Sequence, residues 1–343
     1  MTVGHWGVGN GMQETFNYAV CNPLPATLHH YERELVHCIG AGGGELVETR
    51  PAPTVEVRGA PALKALRTAQ LLWQHLHTPR REYDTIVLWP VFGLLDPALW
   101  RGRSSRGRHL VVVHDPSPLR KQHGVGRIAA RAGRLAGNQV SVIVHTTVAA
   151  QVLDDFGWRR VKILPHPIRV EPRWSRESPE ISESGEALIC GQWKPARDMA
   201  LISGLGKELR GIGLQPVIAG RGWPTVPGWT VDEGFMTEPD MTARLRRARC
   251  VLLPYSHYFQ SNVAVRALEV GTPVVGHRHP FLEGLLGAEY PGYVEHGSDP
   301  TGWARAIERS IAIPPGSLAE PLGVYERRAI QSWSTFLRRG DQN

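Results

Sequence analysis

Between Leu252 and Gly276 the chain reads LLPYSHYFQSNVAVRALEVGTPVVG: an apolar strand, a polar loop, a helical stretch, then a Gly-Thr-Pro turn into a second apolar strand. Ser261 stands where a helix is capped, so the N–H groups of the first turn, near Val263 and Ala264, are expected to point into a cleft. A helix start beyond the carboxyl end of a strand is an anion site in an open α/β sheet, and a diphosphate suits it. Glu269 lies seven residues beyond Asn262, about two helical turns, which places both on one face. A carboxylate there accepts hydrogen bonds from two neighbouring hydroxyls, as on a ribose. The same spacing also serves an ordinary amphipathic helix with a surface glutamate, and spacing alone leaves both readings open.

Two further segments carry candidate chemistry. Cys190–Met199 reads CGQWKPARDM; it follows a strand and opens a helix. Lys194 and Arg197 are three residues apart, so both can face a cleft and neutralise a departing diphosphate, the kind of charge stabilisation that usually dominates catalysis. Taken alone, this segment is better explained by two solvated basic residues beside a turn. Ala219-Gly220-Arg221-Gly222-Trp223 is a glycine turn after a strand, and Gly220 and Gly222 permit close approach of a ligand.

Together these segments resemble the donor half of a GT-B glycosyltransferase, in particular family 4 of the retaining enzymes. A branch of that family has a G-x-x-R-P-x-K segment, here Gly191-Gln192-Trp193-Lys194-Pro195-Ala196-Arg197 with the two basic residue types exchanged. The later segment of that branch appears as Pro254-Tyr255, Gln260-Ser261-Asn262-Val263, Ala267-Leu268 and Gly271-Thr272-Pro273-Val274-Val275. The likeness covers most of Ala187–Ile311. It extends weakly upstream to Val111-Val112-Val113-His114-Asp115-Pro116, to Val144-His145-Thr146-Thr147 and to Ile163-Leu164-Pro165-His166-Pro167. The resemblance implies that a nucleotide-sugar binds with Glu269 on its ribose, Lys194 and Arg197 on its diphosphate, and Gly191, Gly220, Gly222, Gln260, Ser261, Asn262 and Val263 around it. It implies that His114 contacts the sugar or the diphosphate; a buried histidine bound to backbone is the other reading of that residue. Two positions depart from the pattern. Ser261 stands where many members have a glutamate touching the transferred sugar, a contact Gln260 can replace only without charge, and Asn262 replaces a glycine.

The elements that must position these residues alternate along the chain, strand then helix, the sign of parallel sheets covered by helices. In the first half, strands are expected at Thr85–Trp89, Leu110–Val113, Val140–Val144 and Val161–Leu164, and helices at Ala26–Ile39, Ala62–His77, Val125–Leu135 and Thr147–Phe156. A short strand is expected near Thr2–Trp6, leading into a glycine-bearing loop. In the second half, strands are expected at Ala187–Cys190, Pro216–Ala219, Cys250–Leu253 and Thr272–Val275. Helices are expected there at Met199–Gly211, Asp240–Ala248, Asn262–Val270, Thr301–Ile311 and Gly323–Arg338. The seam is Arg169–Glu186, rich in Ser, Glu, Arg and Pro without an apolar period. The expected architecture is α/β of the GT-B kind: two Rossmann-like domains facing a cleft, with a C-terminal helix packing back on the first. An acceptor-binding domain would span 1–168, a linker 169–186, a donor domain 187–320 and the returning helix 321–343.

The 343 residues include 39 Lys+Arg and 32 Asp+Glu, a formal charge of +7. Four separated cysteines (Cys21, Cys38, Cys190, Cys250) exclude a zinc ribbon or disulfide scaffold and suit a reducing cytosol. The start lacks the pattern of a secretory signal, and no apolar run approaches a membrane span, so a cytosolic protein is expected. His30 and His37 are two helical turns apart, with His29 and Cys38 beside them and no third ligand at metal spacing; no metal and no cofactor is expected. Arg101 to Arg134 holds nine Arg/Lys and one acid, Asp115. Arg127, Arg131 and Arg134 line one helix face, which can lie on anionic lipid at the inner membrane surface or simply be solvated. No nucleic-acid motif is present. Gly7-Val8-Gly9-Asn10-Gly11-Met12 puts methionine where a nicotinamide fingerprint needs its third glycine. The expected activity is transfer of a sugar, from a UDP- or GDP-linked hexose, to a hydroxyl of an unidentified glycan, lipid-linked or small-molecule acceptor. The resemblance implies retention and no metal requirement. Another GT-B enzyme such as a nucleotide-sugar epimerase, and a non-catalytic nucleotide-sugar binding protein, remain as rivals.

Overall fold

The computed structural model of the chain describes residues 15–50, 61–77, 82–99, 107–117, 124, 126–136, 140–171, 185–314 and 316–339. The expected strand at Thr2–Trp6, its glycine-bearing loop, most of the seam and five of the basic residues (Arg101, Arg103, Arg106, Arg120 and Lys121) lie outside them.

The first half runs β1 (Phe16–Cys21), α1 (His29–Ala41), β2 (Gly44–Arg50), α2 (Pro61–His77), β3 (Asp84–Val87), α3 (Asp96–Leu99), β4 (His109–Val112), α4 (Arg127–Ala136), β5 (Val140–Val144), α5 (Thr147–Asp155) and β6 (Val161–Ile163). Its strands form one sheet in the order β2-β1-β3-β4-β5-β6, with every pair parallel. The second half runs β7 (Glu186–Cys190), α6 (Met199–Gly211), β8 (Gln215–Ala219), β9 (Thr230–Asp232), α7 (Glu238–Arg247), β10 (Cys250–Leu253), α8 (Asn262–Glu269), β11 (Val274–His277), α9 (Pro280–Leu286), β12 (Tyr293–Val294), α10 (Pro300–Ile311) and α11 (Ala319–Arg339). Its sheet, again all parallel, has the order β12-β11-β10-β7-β8-β9. Read from β9, that is the strand order of the Rossmann sheet.

The central strands of each sheet are buried on both faces, which is why they read as unbroken apolar runs. In β7, Ala187 and Ile189 pack toward α6 and α10, while Leu188 and Cys190 pack toward α8 and α9. Helix starts follow side-chain chemistry: Thr146, Asp198, Thr237, Ser261 and Asp299 each accept a hydrogen bond from a backbone N–H of the first turn. The last helix joins the halves. Leu322 and Tyr325 of α11 belong to the core under the second sheet, whereas Ala329, Trp333 and Leu337 belong to the core under the first. Trp333 donates to the Pro165 carbonyl at 2.9 Å, and Arg108, paired with Asp84, donates to the carbonyls of Phe336 and Leu337. Among the described residues, no helix is long and apolar enough to cross a membrane.

Candidate active site

In an open parallel sheet, ligands bind beyond the carboxyl ends of the strands where the chain reverses its direction of travel across the sheet. In the second sheet that point lies between β7 and β10, and in the first between β1 and β3. The loops leaving β7 and β10 hold Gly191, Lys194, Arg197, Gln260 and Ser261; Asn262, Val263 and Glu269 lie on α8, Gly220 and Gly222 follow β8, and His114 follows β4.

On the β7 side, Gly191 (φ +101°) and Gly220 (φ +153°) belong to two loops that pack backbone against backbone. A Cβ on Gly220 would lie 2.2 Å from the Gly191 carbonyl oxygen, which also accepts the Trp223 indole N–H at 2.8 Å. The missing side chain at Gly220 thus admits a neighbouring loop rather than a ligand. Gly222 (φ +79°) faces open space. Arg197 bridges to Tyr255 across the switch point, its guanidinium centred 4.0 Å from the Tyr255 ring and 5.3 Å from the Trp223 ring. One terminal nitrogen donates to the Cys190 carbonyl at 2.9 Å. Its Nε and other terminal nitrogen are buried with no hydrogen-bond partner, and no carboxylate pairs with it among the described residues. Burial of this kind disfavours the charged form and lowers its pKa. Lys194, half-buried on the same turn, offers its carbonyl to the Arg197 N–H.

On the β10 side, Ser261 caps α8 as expected, accepting from the Ala264 N–H at 3.2 Å. That N–H is therefore spent within the helix end. The residues just before it cross to the first half: Phe259 enters the core cluster of Val111, Val113 and Val144, and Gln260 donates its amide to His114 Nδ1 at 2.5 Å. His114 Nε2–H donates to the Leu88 carbonyl at 2.9 Å, so the ring is neutral and in the Nε2–H tautomer. Burial holds its pKa down to about 4. With Trp89, Pro90, Leu94, Val113 and Asp115, His114 lines a pocket above β3 and β4.

Asn262 and Glu269 do share one face of α8, and a residue from the other half spans them. His30, in the first turn of α1, has Nδ1 at 3.2 Å from Asn262 Oδ1 and Nε2 at 2.6 Å from Glu269 Oε2. The Arg169 N–H donates to the other Glu269 oxygen at 3.0 Å. Burial raises the Glu269 carboxyl to about 8 and lowers the His30 ring to about 4. Both shifts favour one arrangement: Glu269 keeps its proton and donates it to His30 Nε2, while His30 Nδ1–H donates to Asn262.

His30 and Glu34 are not among the expected site residues, and Trp223 and Tyr255 stand in the motifs above without a role. His30 had been weighed only with its helix neighbours, whereas its partner is 239 positions away. Trp223 and Tyr255, which sandwich Arg197, carry the visible signal of aromatic residues in loops beside glycine and proline. Glu34, one turn beyond His30, is 1% exposed, and nothing in a helical spacing announces a buried glutamate. The basic stretch is also less uniform than expected. Arg108 is tied inside by Asp84, and Arg134 lies half-buried against Gly157, leaving Arg127 and Arg131 exposed beside Ile128 and Leu135.

No protein-family model matches the chain, and no curated protein matches it in sequence. Its fold, however, has solved counterparts. A variant of S. aureus TarM, in complex with fondaparinux, alpha-GlcNAc-glycerol and UDP, matches with a TM-score of 0.56 at 13% identity, over 77% of this chain and 56% of TarM. The chain thus spans little more than half the length of TarM. An alpha,alpha-trehalose-phosphate synthase (UDP-forming) from Burkholderia vietnamiensis matches with a TM-score of 0.60 at 12% identity, over 93% of this chain and 98% of that one. Anabaena HepE, in complex with UDP and glucose, matches with a TM-score of 0.60 at 13% identity, over 93% and 97%. At these identities the likeness is one of fold. The chain has the GT-B fold: two Rossmann-like units whose switch points face each other, strapped together by the C-terminal helix.

Proposed function

We propose that the protein is a glycosyltransferase that takes a sugar from a nucleotide-sugar held by its second unit. The observation that carries this reading is Arg197, a buried guanidinium without a carboxylate partner, with two unsatisfied nitrogens at the switch point of a Rossmann sheet. A buried cation of this kind is costly unless an anion completes it. A diphosphate between the Gly191 loop and the start of α8 is the anion that site suits. Lys194, on the same turn, adds a second cation. Asn262, Val263, Gly222 and Gln260 surround the nucleotide-sugar, and Glu269 receives the ribose hydroxyls when the nucleotide displaces His30. The proposed division is an acceptor unit over residues 1–168, a linker 169–186, a donor unit 187–320 and the returning helix 321–343.

A UDP-linked hexose is the favoured donor, because HepE and the TarM variant hold UDP; a GDP-linked hexose is next. In the step itself the acceptor oxygen bonds to the anomeric carbon as the carbon–oxygen bond to the diphosphate breaks. The leaving phosphate takes the acceptor's proton, and Arg197 and Lys194 stabilise the charge it gains. Retention, and transfer without a metal clamp on the diphosphate, follow from the family resemblance. Acceptor binding is assigned to the pocket above β3 and β4, where His114 meets the sugar. For a lipid-linked acceptor, the exposed Arg127, Ile128, Arg131 and Leu135 of α4 offer a face to anionic lipid. Co-sedimentation with anionic vesicles that drops when Arg127 and Arg131 become glutamine tests that contact.

Product analysis with UDP- and GDP-hexoses separates the readings. Transfer yields free nucleoside diphosphate and a glycoside, epimerisation yields a new sugar or nucleotide-sugar, and a binding protein yields neither. Absence of any glycoside across a panel of acceptors, with a new nucleotide-sugar in its place, would overturn the assignment.

A further inference from the structure

His30 and Glu34 are four residues apart on α1, so their side chains stand on one face. Glu269 meets them from the last turn of α8, in the other unit. One ligand atom from each of the three lies within 4.8 Å of the other two, and all three residues are buried. Hydrogen bonding leaves this cluster incomplete. Glu34 Oε1 accepts from Arg33 at 2.6 Å, but Glu34 Oε2, on a side chain 1% exposed, has no partner among the described residues. A buried carboxylate oxygen without a donor needs an explanation, and an ion is one of the few available.

We propose that His30, Glu34 and Glu269 form a binding site for one divalent transition cation of the zinc class. One imidazole nitrogen and two carboxylate oxygens make a donor set suited to such an ion, and the imidazole disfavours magnesium and calcium. A tetrahedral ion holds its ligand atoms about 3.4 Å apart. The His30–Glu269 contact, now 2.6 Å, therefore widens by less than an ångström-scale rotation of two side chains, and the proton between them leaves as the ion enters. The ion joins α1 of one unit to α8 of the other. The ion and a nucleotide ribose are alternative occupants of Glu269, so the site belongs to the nucleotide-free protein, and its test does not depend on the glycosyltransferase reading.

The test uses full-length protein stripped with a chelator and dialysed against Zn2+, with bound metal counted by mass spectrometry. Wild type is expected to hold about one zinc more than Glu34→Gln or His30→Gln, with affinity at the site weakened by more than about 100-fold, beyond what outer-shell changes cost. Comparing variants separates this site from zinc held by other histidines. A readout independent of the variants is Co2+ added to wild type, which is expected to give the strong visible bands of a low-coordinate site. Equal zinc in wild type and Glu34→Gln, or only the weak spectrum of hydrated cobalt, overturns the proposal.

Discussion

Glu269 keeps its proton near neutral pH because burial takes away the water that an ionised carboxylate needs, and this outweighs the Arg169 N–H, which favours the ionised form; the His30 ring stands ready to accept the proton. The carboxyl titrates in the folded chain at about 8, against the ordinary value of 4.5. Its contribution to stability is therefore complete below pH 4.5 and is lost as pH rises through about 8, with a slope of at most about 1.4 kcal/mol per pH unit. The buried histidines have the opposite sign. His114 and His30 are held to about 4, and His145 to about 3, so their contribution is complete above pH 6.5 and is lost as pH falls. Between pH 6.5 and 8 Glu269 acts without these histidines. Glu269→Gln, which keeps the shape and cannot ionise, is expected to lose less stability than wild type across that interval in urea titrations. Parallel profiles would contradict the proton assignment. None of this was legible in the sequence, where the Asn262–Glu269 spacing correctly gave one shared face but not the ring from α1 that covers it.

The elements that hold the site differ in how plainly they were written. β5, α6 and β10 have the bounds read from their residues, because Val140–Val144 and Cys250–Leu253 are apolar throughout and Met199–Gly211 repeats at helical period. β1 is not among the expected strands: its Phe16 is only partly covered and its Asn17 exposed, leaving a four-residue apolar run beside a glycine-bearing start that draws the expectation to Thr2–Trp6. β2 is an edge strand, GELVETR, whose charged alternation does not look like a buried parallel strand. β9 and β12 are too short to carry a pattern, and α9 spans only seven residues. Among the loops, Gly220 packs on a partner that its glycine turn does not announce, the Gly191 carbonyl. Gly220→Ala sets a methyl 2.2 Å from the Gly191 carbonyl in a backbone conformation that favours glycine, and is expected to cost about 3 kcal/mol in urea unfolding. Gly222→Ala, with open space around it, is expected to cost less, from backbone conformation alone.

At the scale of the molecule, two units meet through few but well-buried contacts: Phe259 in the first core, Gln260 on His114, Glu269 on His30, and α11 shared by both. Removing the largest of the cleft contacts, in Phe259→Ala, is expected to cost about 3–5 kcal/mol and to raise the radius of gyration in solution scattering as the units separate. An unchanged radius would mean that α11 alone sets their spacing. The charge of +7 has also gained an inner address, since Arg197 is among the cations that the fold buries without a carboxylate. The most direct test of the central claim is calorimetric titration of UDP and GDP into wild type and Arg197→Met. Methionine fills the slot between Tyr255 and Trp223 without charge, a change that buried ions often tolerate in stability. Binding of one nucleoside diphosphate per wild-type chain, weakened at least about 100-fold in the variant through loss of two charge-assisted hydrogen bonds, is the expected result. Equal affinity in both proteins, or no binding of either nucleotide to wild type, would contradict it.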